Sequence, residues 1–397
     1  MQHQTEQQQD PQRDNPQQAS RHAVLSWLES QSAAMQSLLQ QVVDIDSGSR
    51  MEAGVRAVAD VLRASLEADG IQVQYVPVPG YGVCLDASLP GSGQGKPVLL
   101  MGHMDTVYPE GTVARRPFRV EDGRAHGPGV ADMKSGLVMN VFVARALSRL
   151  GDQAPPLRLF FSCDEEIGSP ATREIIMDVG RQVRAVFNAE PGRVSGNLVV
   201  ERKGSMAVDF EVDGVAAHAG INHAAGASAI DALARKILQL HALTDPDTGV
   251  TTNVGVVQGG IVPNMVAPHV KAQLDVRFTA SVDVDALWDR IRAIIEAETV
   301  PRTRGRVTDV RKTMPMARTP AALLSLYQRN AARVGFTVEG EFTGGAADSG
   351  LTSSVGTPTL CGTGPVGGHP HTEREYCELS TFVPRAQALA LSVLELG

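Results

Sequence analysis

The chain has 397 residues, a formal net charge of −8, 43% apolar side chains and 4% aromatic ones. That length is too great for one compact core and predicts about two domains with mostly aliphatic interiors. The acidic balance argues against general nucleic-acid binding and against attraction to an acidic membrane surface, and no apolar run approaches the ~20 residues that span a bilayer.

Residues 1–20 are Gln-rich and nearly devoid of apolar side chains. They lack the apolar stretch of a signal peptide, and the composition predicts a disordered tail. Helical periodicity then covers Val24 to Val43 and Glu52 to Ala68, the second ending at Asp69-Gly70. A strand is predicted from Ile71 to Val76 and a short buried parallel strand from Val98 to Met101. The Gly-rich loop before it, Gly91 to Gly95, fails the phosphate-loop pattern, because Pro90 stands where the first Gly belongs and Pro97 where Ser or Thr belongs. It is expected to be a surface turn. Ser135 to Leu150 reads as a helix, and Leu157 to Ser162 and Ala185 to Asn188 as strands. Alternating strands and helices predict a mostly parallel, mixed α/β sheet flanked by helices.

Near Lys203 the pattern changes. Met206 to Val212 alternates apolar and polar, followed by a helix from Ala227 to Leu243 and strands from Thr251 to Val257 and Val270 to Phe278. A helix from Val284 to Glu298 and a strand near Arg306 to Val310 complete a β-α-β-β-α-β order, a small α+β ferredoxin-like unit. A helix from Pro320 to Val334, a short strand from Thr357 to Leu360 and a helix from Val383 to Leu394 return to the first pattern. The expected organisation is a tail (1–20), a catalytic domain in two parts (21–202 and 315–397) and an inserted domain (203–314). Cys84, Cys163, Cys361 and Cys377 form no close pair. Four free buried thiols, in a protein of the reducing cytoplasm, are expected.

Five segments carry acids or histidines just after predicted strands or before a helix, where open α/β sheets place their ligand sites. The first is Gly102-His103-Met104-Asp105-Thr106-Val107. Positions i and i+2 share one side of an extended chain, so the Asp105 carboxylate is expected to hold the second ring nitrogen of His103. Asp132, in Gly127-Pro128-Gly129-Val130-Ala131-Asp132-Met133-Lys134, can bridge two cations; a helix N-cap is its bland alternative. Glu165-Glu166 places like charges beside a sheet edge, where a metal relieves repulsion or one acid is poised as a base. Glu190 precedes Pro191-Gly192, and His369 and His371 stand together late in the chain. By composition either histidine qualifies. Jointly the set suits two divalent cations and one proton-transferring carboxylate. Zinc fits imidazole and carboxylate donors best, and Co2+ or Mn2+ would also fit.

These motifs, from about Gln40 onward, resemble the di-zinc metallopeptidase family that includes folate-hydrolysing glutamate carboxypeptidases, succinyl-diaminopimelate desuccinylase and aminoacylase. The carrying motifs are Gly-His-Met-Asp-Thr-Val, Gly-Pro-Gly-x-x-Asp-Met-Lys, Asp-Glu-Glu-x-Gly-Ser, Glu-Pro and a late His followed by Glu375-Tyr376. Their order is closest to the glutamate carboxypeptidase branch. The resemblance implies that Asp132 bridges two metals, that His103 and Glu190 complete one site and Glu166 and His371 the other. It also implies a cis peptide after Asp132, and Glu165 as general base toward the bridging water. His371 is preferred over His369 by its offset from Glu375-Tyr376.

The inserted domain then corresponds to the family's lid and dimerisation unit. His218 matches a histidine that reaches the partner subunit's site and polarises the scissile carbonyl. Asn264 and Arg277 match positions that hold the substrate carboxylate, and Gly344-Gly345 begins a glycine-rich substrate wall. The sequence departs from the family at His223, where Pro is frequent, at Met314, where a basic residue is common, and at Ala347, where Thr is usual. The expected function is release of a C-terminal amino acid, glutamate in the nearest branch, from a small N-acyl amino acid or short peptide by a cytoplasmic homodimer. Deacylase, desuccinylase and dipeptidase activities of the same family, or a non-catalytic peptide-binding homologue, are the alternatives. A serine hydrolase is disfavoured because no Gly-x-Ser-x-Gly elbow is present.

Overall fold

A computed structural model describes residues 16–91 and 95–396. Its large sheet has eight strands. In spatial order they are Gln72–Val78, Gly82–Leu89, Leu157–Ser162, Val98–His103, Ala185–Asn188, Thr359–Cys361, Leu198–Arg202 and Gly340–Thr343. The four from Leu157–Ser162 to Thr359–Cys361 pair in parallel. Val98–His103 and Ala185–Asn188 are buried along their whole length, as strands covered on both faces must be. Antiparallel pairs flank this parallel centre: a Gln72–Val78/Gly82–Leu89 hairpin on one side, and Leu198–Arg202 against Thr359–Cys361 on the other.

The helix Ser135–Ser148 crosses this sheet with almost every residue buried, and Phe382–Leu396, Glu52–Glu67 and Pro16–Glu29 pack around it. Two expectations are corrected here. The tail reading fails for residues 16–20, which form the start of Pro16–Glu29; residues 1–15 lie outside the described residues. Pro is well suited to a first helical turn, and the buried side chains of Val24 and Leu28 fix that helix to the core. The single helix expected from Val24 to Val43 is two, Pro16–Glu29 and Ser32–Val43. Between them the Ser30 hydroxyl donates to the Trp27 carbonyl at 2.7 Å, a local bond that competes with helix continuation.

A separate antiparallel sheet lies between Gly204 and Thr313. Its order is Thr251–Gly259, His269–Phe278, Gly204–Asp213, Arg304–Thr313. Burial alternates residue by residue along Gly204–Asp213, so Met206, Val208, Phe210 and Val212 enter a second core with the helices Ala229–His241 and Val284–Glu296. The Ser228 hydroxyl and the Asp283 carboxylate cap these helices. The other sheet face, with Ser205, Ala207, Arg277, Asp309 and Arg311, lines a cleft of about 1330 Å³ shared with the large domain. A small four-stranded antiparallel sheet, absent from the sequence-based expectation, joins Arg119–Glu121 and Arg124–His126 to the C-terminal segment Gly367–Glu378.

Gly136 shows how tightly the central helix presses on the sheet. A Cβ there would lie 1.9 Å from the carbonyl oxygen of Ala189, the neighbour of Glu190. Gly136→Ala gains about 1 kcal/mol of helix propensity but overpacks a rigid backbone contact, which costs about 1–3 kcal/mol. The expected net result is a lower denaturation midpoint together with reduced metal content, measured by urea unfolding and elemental analysis.

Candidate metal centre

His103 is the last residue of a buried strand, and its ring is itself buried. Nδ1 lies 3.0 Å from the main-chain oxygen of Asp105 and 3.4 Å from that residue's Oδ1. The expected carboxylate contact is therefore secondary, because the strand stops at His103 and the turned chain presents the Asp105 carbonyl instead. The Asp105 carboxylate has another task. It accepts the Ser49 hydroxyl at 2.7 Å and the backbone N–H groups of Glu165 and Glu166, each at 3.1 Å. One residue thus fixes both the ring and the acidic turn.

Asp132 follows Gly129, whose φ of 70° admits the sharp approach of this loop, and its peptide to Met133 is cis. No side-chain cap is formed at the following helix, so the N-cap alternative is excluded. Instead Oδ1 lies 3.2 Å from His103 Nε2 and Oδ2 lies 3.2 Å from His371 Nε2. The loop is held by Glu375, which sequence reasoning used only as a spacing mark. Its Oε1 accepts N–H from Ala131 and Asp132 at 2.8 and 3.0 Å, and its Oε2 accepts from Gly129 at 3.1 Å and from the Tyr108 hydroxyl at 2.7 Å. Nothing local in the sequence announces this support, because its partners come from far along the chain.

Glu165 and Glu166 occupy a short 3-10 turn after Leu157–Ser162. Glu166 Oε2 lies 3.2 Å from His371 Nε2, while its Oε1 is buried without a hydrogen-bond partner. Glu165 Oε2 and Glu190 Oε1 approach His103 Nε2 at 3.9 and 4.0 Å. His371, at φ 61°, turns into this cluster; His369 packs its ring against Tyr376 instead. Donor atoms of His103, Asp132 and Glu166 all lie within 4.8 Å of one another.

Residues 99–395 match peptidase family M20/M25/M40. The chain belongs to this family. It is 28% identical over 376 residues to carboxypeptidase G2 from Pseudomonas sp. (strain RS-16), covering 90% of this chain and 88% of that protein. Among solved structures, aminopeptidase PepT from Bacillus cereus superposes with a TM-score of 0.78 at 23% identity, covering 92% of this chain and 98% of that one. The Bacillus subtilis YXEP protein, described as a dinuclear metal-binding peptidase, gives a TM-score of 0.67 at 16% identity over 92% and 98% of the two chains. As a member of family M20/M25/M40 the chain is a hydrolase of amide bonds, and the family binds two metals.

The clustered side chains fit such cations by their own chemistry. Two imidazoles and three carboxylates, Asp132, Glu166 and Glu190, with no thiolate suit borderline divalent ions, and the orphaned Glu166 oxygen is a donor awaiting a partner. Protonation follows the crowding. Burial and neighbouring acids push Glu165 well above the usual carboxylate range, and burial pushes Glu190 up to about 7. Burial opposes charge on His103, yet its contacts to Asp105 and Asp132 hold its pKa well above the usual imidazole value. Hydrogen bonds to Asp132 and Glu166 raise His371 to about 10. Against the cost of burial, the two histidines hold the Asp132 carboxyl below its usual range.

Of the remaining expected site residues, Arg277 and Gly345 line the cleft with Glu165, Glu166 and His371. Arg277 Nε also donates to Asp275 at 3.0 Å. Gly344 adjoins this wall without lining the cleft. His218 and Asn264 are exposed on the smaller domain and do not line the cleft of their own chain. They meet through the Ala219 N–H, which donates to the Asn264 carbonyl at 2.9 Å. His218 Nδ1 accepts N–H from Gly220 and Ile221 at 3.1 and 3.2 Å, which places the ring proton on Nε2.

Raised histidine pKa values mean that protons occupy the apo site at neutral pH, and cations must expel them. Metal affinity is therefore expected to rise with pH through the range below about 10, the value for His371, by about tenfold per pH unit for each proton released. Titration calorimetry in buffers of different protonation enthalpy should detect at least one proton released per chain; a pH-independent affinity would contradict this protonation scheme.

Proposed function

We propose that this chain is a two-zinc carboxypeptidase-type amidohydrolase that releases a C-terminal amino acid, glutamate first among them, from a small N-acyl amino acid or short peptide. The observation that carries the reading is Asp132, whose two oxygens each stand 3.2 Å from a different histidine, with Glu165 beside one of them. In this reading His103 and Glu190 would hold one ion, Glu166 and His371 the other, and Asp132, which faces both histidines, would serve both. When bound, the two ions supply Lewis acidity that acidifies water and polarises the scissile carbonyl.

Glu165 moves the proton. Its carboxylate takes a proton from the attacking water and returns it to the leaving amine nitrogen as the C–N bond breaks. Burial and neighbouring acids, which raise its proton affinity, suit a group that must both accept and donate near neutrality. The Arg277 guanidinium holds the free carboxylate of the departing amino acid, with the Asn264 amide reaching it from the partner chain as His218 does, and Gly345, backed by Gly344, forms the wall against which it lies.

The protein acts as a cytoplasmic homodimer joined through the smaller domain. Support comes from that domain's surface: Ile221 is 82% exposed, Leu238 74% and Ile261 70%, and Thr251–Gly259 stands at one end of the sheet order. His218, outside its own cleft with a proton on Nε2, then donates to the developing oxyanion in the partner's site.

Glu165→Ala is expected to retain near two metals per chain by elemental analysis while kcat falls about 10²–10⁴-fold; unchanged turnover would remove the base assignment. Mixing inactive His218→Ala with inactive Glu165→Ala subunits should restore part of the activity through one intact composite site. Failure of restored activity to appear in a verified mixed dimer would refute the cross-subunit role.

A further inference from the structure

The segment from Thr343 to Asp348 is fastened along its length. The Lys203 N–H donates to the Thr343 carbonyl at 3.1 Å, and Arg202 Nη1 donates to the Gly345 carbonyl at 3.1 Å. At its far end Asp348 Oδ2 accepts the Ser162 hydroxyl at 2.8 Å, and Oδ1 accepts the Ser169 hydroxyl. Ser162 ends the strand before the Glu165–Ile167 turn and Ser169 follows that turn. All three side chains are buried; Ser169 and Asp348 border the same cleft as Gly345, Ala346 and Ala347. One carboxylate therefore staples both ends of the turn that carries Glu165 to the wall that faces substrate. Asp105 fixes the amides of the same turn from the sheet side.

We propose that Asp348 is a positioning residue for Glu165: it keeps the turn in register with the glycine wall, so the contacts that seat the substrate also set the distance from the Glu165 carboxylate to the reacting centre. This rests on Glu165 being the base. Asp suits the position because a carboxylate accepts two hydroxyl donors from opposite sides of a turn. Asn offers one acceptor oxygen, and Ala leaves both buried hydroxyls without this partner.

The test uses zinc-loaded full-length protein and compares Asp348→Ala, Asp348→Asn and the double variant Ser162→Ala/Ser169→Ala, with Glu165→Gln in parallel. A base displaced by about an ångström loses about a hundredfold in rate. Asp348→Ala is expected to lower kcat by about that factor with KM within about threefold and two metals retained, and Asp348→Asn by about tenfold. The serine double variant should reproduce Asp348→Ala, and adding it to Asp348→Ala should cost little more, because one clamp is already lost. Full kcat in a folded, metal-loaded Asp348→Ala protein would overturn the proposal. So would a loss of kcat that excess zinc restores, since that marks a purely structural role. If Asp348→Ala does not fold, full kcat in the serine double variant overturns it equally. Activity in Glu165→Gln would instead remove the base reading; an inactive Glu165→Gln beside an active Asp348→Ala would remove only the positioning role.

Discussion

Four carboxylates, Asp132, Glu165, Glu166 and Glu190, converge on the facing nitrogens of two imidazoles. Removed from bulk water, such like charges repel strongly unless protons or cations stand between them. The raised pKa values of Glu165, Glu190, His103 and His371 are the protonic form of that compensation. Divalent ions held among these groups would be the other form. The buried Arg202 guanidinium offsets part of this charge at Glu190 and Glu165, and protons or cations offset the rest.

A second layer of buried acids holds the first. Asp105 accepts the amides of Glu165 and Glu166, Glu375 accepts those of Gly129, Ala131 and Asp132, and Asp164 accepts those of Ala171 and Thr172 after the turn. Each spends its charge on backbone N–H groups or hydroxyls, which is how a buried carboxylate is tolerated without a cation. The loops between strands and helices are thereby made rigid where the chemistry requires it. The parallel strands bring His103, the Glu165–Glu166 turn and Glu190 to one edge of the sheet, and the small sheet formed with Gly367–Glu378 brings His371 across from a distant part of the chain.

Much of this was legible without coordinates. The fully apolar runs at Val98 and Ala185 and the alternation from Met206 to Val212 identified strands because burial on two faces, or on one, leaves those periods in the side chains. The hairpin strand Gly82–Leu89, the strand Leu198–Arg202 and the small sheet around Arg124–His126 leave no such mark in the sequence. They are short or only partly alternating, and their pairing is decided by distant segments. The break at Ser30 is hidden for a related reason: the apolar spacing of Leu28 and Met35 continues across it, and only a side-chain-to-carbonyl bond marks the interruption.

The sequence by itself determined the donor chemistry: which histidines and acids lie beside strand ends, how they are ordered, and that no thiolate is among them. It also determined that two separately patterned cores exist, because periodicity is a local property of the chain. Tertiary structure decided which of His369 and His371 faces the acids, that the Asp105 carbonyl rather than its carboxylate lies nearest the His103 ring, and that Glu375 and Asp348 support the loops. Those outcomes depend on groups far apart in sequence meeting at hydrogen-bond distance, and their spacing along the chain carries no record of that meeting.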